Sequence, residues 1–478
     1  MSFGSERIAV RKRVRPWNII AFVLGLSFLQ GIAYVTKVGN LYVDAVYPMA
    51  VLALAAKLIF DPKHTIGKLE SCFCRRMLPF LLVIALSGVL ALVSCVTHQG
   101  VQISSYLNGL VVLAVSLCVY FAVIAYHSQI KYIALGLWIG LLVNIVVSFM
   151  QYAAFQAGTA FTLYGLFPQP AFYISVPWGA GGAWAENIKY LVYSFRAQGL
   201  YLEVSYFVGA ATIVYIAAPS FIKTNGTFRA IVLAALLFLF GMSGTGNLVL
   251  FIGFIMVACA IHLNSSGGLR GVFERRRTRI EWMLMLLLLI GCLMVVFLFV
   301  SNADAFFDVM DFDVFSKGWA DGIASSNLSD ADNSQRLTYM LNAVAEFARY
   351  PWGGGYNMAP ALTFADYGTN TTFSYALTLL VELGPIGLAT YLYFIGSLVV
   401  SLAERRSSRH SDGAALSVAV LALFAFQVAN GIGLTPLAWC VFALASIELY
   451  DKKKERGSNN HGIESERRPR LQEARPGI

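Results

Sequence analysis

The chain has 478 residues, of which 58% are hydrophobic and 13% charged, and it carries a net charge of +9. So large an apolar share excludes a soluble globular enzyme and a disordered chain alike. The positive charge lies in short loops and a tail between apolar runs, which makes it a topology signal and not a nucleic-acid footprint.

Residues 1–16 form a basic N-terminal stretch carrying Arg7, Arg11, Lys12, Arg13 and Arg15, and the first apolar run, Trp17–Thr36, follows it. Leu24 to Val35 offers no small-residue cleavage site, so this run is read as an uncleaved first helix. Runs of spanning length recur at Leu41–Phe60, Met77–Val96, Tyr106–His127, Tyr132–Ala157 and Leu200–Ile222, then at Ala230–Met242 and Asn247–Leu263. The last four are Ile280–Ser301, Phe373–Glu404, Ala414–Asn430 and Leu434–Tyr450. The expected fold class is an all-α polytopic membrane protein of about 12 transmembrane helices within 17–450, with a basic tail at 451–478.

Lysine and arginine orient the bundle, because short cytoplasmic loops retain positive charge during insertion. Lys63, Lys68, Arg75, Arg76, Lys131, Lys223, Arg229, Arg275–Arg277 and Arg405–Arg406 alternate with outer loops that are poor in basic residues. Both termini are therefore expected in the cytoplasm. Two outer segments exceed connector length: 158–199, rich in aromatic residues, Gly and Pro, and 302–372, acidic at its start. In the second, Leu337, Met340, Leu341, Val344 and Phe347 predict an amphipathic helix over Ser334 to Arg349, with Ser334 as its cap and Arg336 in the first turn.

No cysteine falls in a large outer loop, which excludes a disulfide framework, and Cys72-Phe-Cys74 lacks partners for a zinc site. Metal binding at Asp311-Phe-Asp313 or Asp330-Ala-Asp332 is the minor reading, since an acidic loop gives such spacing easily. Ser243–Asn247 reads as a tight turn between spans. His98 is the one histidine on the outer side, in a short turn far along the chain from the outer arginines, and is expected to be dispensable.

The chemistry-bearing residues are arginines at outer helix ends. Arg196 opens Arg196-Ala-Gln-Gly199-Leu-Tyr201-Leu-Glu203-Val-Ser205, and Arg336 opens the helix that ends at Pro351 and Gly353-Gly354-Gly355. A guanidinium at a bundle mouth is costly and suits a phosphate-linked lipid. Glu203, two helical turns from Arg196, is a candidate base or an orienting partner of that arginine, and a loop aspartate is another candidate base. Glu382, in mid-helix beside Gly384-Pro385, reads as structural.

These motifs, with Glu382-Leu-Gly384-Pro-Ile-Gly387, resemble those of bacterial Wzy-type O-antigen and exopolysaccharide polymerases, within the O-antigen ligase/polymerase superfamily. The resemblance runs from Phe195 to Val400. The ligases carry a His-Asn pair where this chain has Phe373-Ser374, which favours a polymerase over a ligase. The resemblance implies a GT-C-like bundle in the bacterial inner membrane with two large periplasmic loops. It implies a glycosyltransferase, independent of metal and cofactor, that moves a growing glycan from undecaprenyl diphosphate to a lipid-linked repeat unit. Arg196, Glu203 and Arg336 would be catalytic, and Gly199, Tyr201, Ser205, Gly354 and Gly355 would bind substrate beside the two arginines. Implied partners are the undecaprenyl-diphosphate-linked oligosaccharide, the lipid bilayer, a chain-length regulator and a flippase. The alternatives are a ligase acting on lipid A core and a transporter or flippase, for which Lys57, Asn144 and Glu382 are the intramembrane polar groups.

Overall fold

The computed structural model of the protein describes residues 16–28, 34–38, 41–156, 197, 199–201, 204–242, 247–265, 328–369, 372, 374–403, 412–430 and 433–450. Helices α1 (Pro16–Ser27), α2 (Val46–Phe60), α3 (Pro62–Cys72), α4 (Leu78–Leu86), α5 (Gly88–Thr97), α6 (Ile103–Ala125) and α7 (Ile130–Gln156) make the first part. The rest comprises α8 (Val204–Ala217), α9 (Gly226–Met242), α10 (Leu248–Ser265), α11 (Leu328–Arg349), α12 (Ala359–Tyr367), α13 (Tyr375–Ala403), α14 (Asp412–Asn430) and α15 (Pro436–Tyr450).

Among the described residues, four helical stretches are long and apolar enough to cross a membrane: Arg75–Thr97, Ile103–Ala125, His127–Ala153 and Tyr375–Ala403. Seven further apolar helices among them are shorter, from Pro16–Ser27 to Pro436–Tyr450. The chain is thus a helical membrane protein, and the expected span Ile280–Ser301 lies outside the described residues. One departure from an all-helical reading falls between the first two runs. Tyr34–Val38 (β1) and Leu41–Asp44 (β2) pair antiparallel with Val38 opposite Leu41. The β-branched and aromatic residues Tyr34, Val35, Thr36 and Val38 favour strand over helix there, so the first helix stops at Ser27 and the second begins at Val46.

Small residues let helices approach at the backbone. A Cβ on Gly25 of α1 would lie 2.1 Å from the Ile133 carbonyl oxygen of α7, and one on Gly136 2.3 Å from that of Phe22. The buried core centres on Tyr120, Phe394, Trp439 and Phe442, with Phe394 and Phe442 edge to face at 4.9 Å. Among apolar helices this packing supplies the contact that water-driven burial supplies in soluble cores.

The two ends of the bundle differ in chemistry. At one end Trp17 meets Phe60 and Tyr126 edge to face, each at 6.1 Å, and the Lys68 ammonium lies 5.0 Å over the Tyr450 ring. At that same end Arg76 donates to the Ser397 carbonyl at 2.6 Å and to the Ser401 hydroxyl. Lys68 and Arg76, two of the basic loop residues grouped on one side by the sequence, therefore meet at one end. The opposite end gathers the α5–α6 turn, the end of α11, α12 and the start of α13, where Asn357 Nδ2 donates to the Ser105 carbonyl at 2.8 Å.

Helix α11 begins at Leu328, earlier than its periodicity suggested. Ser334 is therefore an interior residue and not a cap, Arg336 sits about two turns in, and Asp330 and Asp332 belong to the helix.

Candidate functional site

The site is built around a break in α13. Pro385 has no N–H to offer the Val381 carbonyl, four residues back, and Gly384 leaves helical geometry at φ 64° and ψ −167°. The carbonyls freed by the break are satisfied from outside: Gly354 N–H donates to Val381 at 2.8 Å and Gly355 N–H to Glu382 at 2.7 Å. The Gly354 carbonyl in turn accepts from Ser94 Oγ of α5 at 2.9 Å. Gly353–Gly355 is thereby wedged between α5 and the kink, and a Cβ on Gly355 would lie 2.6 Å from the Ala91 Cβ. Gly354 and Gly355, two residues expected to bind substrate, give their amides to the neighbouring helix.

Asn357, at φ 60°, turns the chain back so that its own N–H and that of Ala359 donate to the Glu382 carboxylate. A carboxylate from a different helix thus receives the first amides of α12, which has no side-chain cap of its own. Glu382 has the structural role anticipated for it, and it also lines a cavity of about 290 Å³. Tyr356, Thr372, Tyr375, Thr378 and Trp439 share that lining. Two polar atoms there are buried without a hydrogen-bond partner, the Tyr375 hydroxyl and Trp439 Nε1. Burial, with Glu382 and Tyr47 adding to it, pushes the Tyr356 hydroxyl well above the ordinary tyrosine range and keeps it a neutral donor. Aromatic residues, threonine hydroxyls and a carboxylate line one space, a lining suited to a hydroxyl-bearing ligand.

A second cluster lies at the same end. The α5–α6 turn carries His98 to the last turn of α11, where its ring lies 4.8 Å from that of Tyr350. His98 Nε2 is 3.7 Å from Glu346 Oε1 and 3.7 Å from Asp366 Oδ2. The His98 and Glu346 side chains are only 4% and 1% exposed, while Arg349 pairs with Asp366 at the surface. Burial first, and then the charge of Asp366, pushes the Glu346 carboxyl up to about 7.

Of the expected site residues, Arg196 and Glu203 lie outside the described residues, as do the aromatic loop before Arg196, Asp311, Asp313 and residues 243–246. Arg336 is on α11, the helix that also supplies Glu346. Gly199, at φ 57°, is held by Gln151, which accepts its N–H and donates to its carbonyl, both at 3.0 Å. Asn144 Oδ1 accepts the Leu200 N–H at 2.7 Å, Tyr201 stacks on Phe207 at 5.6 Å, and Ser205 starts α8. The polar groups weighed for transport are dispersed. Lys57 lies over the Trp17 and Tyr126 rings, Asn144 holds the turn at Leu200, and Glu382 holds α12.

Sequence reasoning missed the His98 cluster. His98, far along the chain from the outer arginines, lies against the end of the helix that bears Arg336. No periodic signal pointed to it: Glu346 shares the buried face of Ala343, whereas Leu337, Met340, Leu341 and Val344 of the expected apolar stripe are exposed. Compared with protein-family models and with curated proteins, the chain shows no match.

Proposed function

We propose that the protein is a glycosyltransferase of the bacterial inner membrane. It passes a growing glycan from undecaprenyl diphosphate to the terminal sugar of a lipid-linked repeat unit on the periplasmic face. The observation that carries the reading is the cavity between α6, α13 and α15, where the Tyr375 hydroxyl and Trp439 Nε1 are buried without partners near Glu382. A buried donor left unpaired costs about 1–3 kcal/mol, a cost that a sugar hydroxyl accepting from it relieves. The aromatic lining and neutral donors select a polyol over an anion or a lipid tail.

In this reading the diphosphate is held by Arg336 and Arg196, whose planar forks match phosphate oxygens and stabilise the negative charge that grows on the leaving group. Glu203 accepts the proton of the attacking hydroxyl. Gln151 and Asn144 set the backbone of the turn at Gly199 and Leu200, between Arg196 and Glu203 in the sequence. In this reading the basic end of the bundle lies in the cytoplasm with both termini, and transfer takes place on the other side.

The test is incubation of the purified protein with the undecaprenyl-diphosphate-linked repeat unit of its host. A ladder of products of increasing length is expected. Unchanged repeat unit, or transfer to lipid A core without elongation, would overturn the reading.

A further inference from the structure

We infer that His98, Glu346 and Asp366 form a binding site for one divalent transition-metal ion of the zinc class, which clamps the α5–α6 turn to α11 and α12. The inference stands apart from the proposed glycosyl transfer and rests on how the histidine is wired. The Thr97 hydroxyl has one hydrogen, which it donates to the carbonyl of Val93 at 3.1 Å, with that of Ser94 also in reach at 3.3 Å. Its lone pairs therefore accept from His98 Nδ1 at 2.9 Å, and the Ser94 carbonyl, which can only accept, lies 3.2 Å from the same nitrogen. Nδ1 carries the hydrogen, so the lone pair of the neutral imidazole is on Nε2. That is the arrangement by which a backbone carbonyl and a hydroxyl orient a metal-binding histidine.

Nε2 points at two carboxylates. A lone pair facing two carboxyl groups in a buried site is repulsive when both are ionised, unless a cation lies among them. A proton on Nε2 fills that need poorly, because the two 3.7 Å separations are too long for hydrogen bonds. Those separations do suit three ligands around one ion. With metal–ligand bonds of about 2.1 Å, tetrahedral neighbours stand roughly 3.4 Å apart. The three ligand atoms all lie within 4.8 Å of one another, so the two His98 pairs close by a few tenths of an ångström and the carboxylate pair by at most about 1.4 Å to complete the geometry.

Burial adds an independent mark. His98 Nε2 has no hydrogen-bond partner and is screened from solvent, and the Glu346 carboxyl is buried beside it, facing the Asp366 carboxyl. One imidazole with two carboxylates selects zinc or manganese over magnesium and calcium, which prefer oxygen alone. Arg349 stays beside Asp366 and orients it from the outside. The clamp acts on the glycine-rich turn, since Ser94 holds Gly354 through its hydroxyl and His98 through its carbonyl.

The experiment uses full-length, tag-free protein in detergent, stripped with EDTA and dialysed against Zn²⁺, Mn²⁺ or Mg²⁺ alone. Metal content and thermal unfolding are then read. One Zn²⁺ per chain is expected, with Mn²⁺ weaker, Mg²⁺ absent, and unfolding raised by several degrees with Zn²⁺. His98→Gln and Glu346→Gln should each cut affinity at least tenfold and remove the thermal shift, while the Cys72→Ser, Cys74→Ser double variant retains both. Asp366→Asn, at a partly exposed position, provides the same comparison should a buried variant fail to fold. Absence of stoichiometric Zn²⁺ or Mn²⁺ in the parent protein overturns the assignment, as does equal binding by His98→Gln and Asp366→Asn, or loss of the metal in the cysteine variant.

Discussion

Gly353 and Gly384 meet backbone to backbone: a Cβ on Gly353 would lie 2.7 Å from the Gly384 nitrogen, and one on Gly384 2.8 Å from the Pro351 carbonyl oxygen. Both residues have positive φ, 88° and 64°, so each position combines a strained conformation for any other residue with a space already filled. The turn and the kink are one unit, and Glu382 with its cavity is held by that unit.

Gly353→Ala and Gly384→Ala are each expected to destabilise the protein by about 2 kcal/mol or more, adding the left-handed cost to the overpacking cost. Thermal unfolding in detergent measures it. Gly396→Ala is the control, because it is in the same helix with open space around it and should be neutral or stabilising by a few tenths to about 1 kcal/mol.

Tyr375→Phe and Trp439→Phe remove donors that are unpartnered in the empty cavity, so unfolding temperature should hold or rise for Tyr375→Phe. Product formation from the lipid-linked repeat unit should fall about 2- to 10-fold for each, the value of one neutral hydrogen bond, through a higher KM. Unchanged KM in both variants would remove the sugar from this cavity.

Asn144→Leu leaves the Leu200 N–H without its acceptor beside α7 and is expected to cost about 1–3 kcal/mol. Limited proteolysis should then cut near Gly199 faster than in the parent protein. Gln151→Leu should act in the same direction, since it removes two hydrogen bonds to Gly199.

Arg336→Ala and Arg196→Ala should each abolish polymer while membrane yield is kept, and lysine should rescue poorly because a point charge lacks the planar fork. Polymer length on gels of surface glycan, read beside immunoblots of the membrane fraction, decides the outcome. Normal chain length in either alanine variant would count against the assignment.

Much of the architecture was legible in the chain because it is local. Apolar runs such as Tyr106–His127 and Tyr132–Ala157 predict α6 and α7 closely, since a helix in lipid satisfies its own backbone bonds within one segment. Gly384-Pro385 announced a break, and the alternation of basic loops gave the shared end that Arg76 and Ser397 now mark. The hairpin at Tyr34–Asp44 was misjudged because hydropathy alone does not separate a β-branched run from the end of a helix. The early start of α11 was misjudged because its first turns, Leu328–Asn333, are polar and carry no periodic signal. Only tertiary structure decided what the break in α13 is for, since the donors that satisfy it come from Gly354 and Gly355 on another segment. The same holds for His98 and Glu346, separated by about half the chain and brought to 3.7 Å where the α5–α6 turn meets the end of α11. Periodicity reports which face of a helix is buried, and it carries no information about which other face it is buried against.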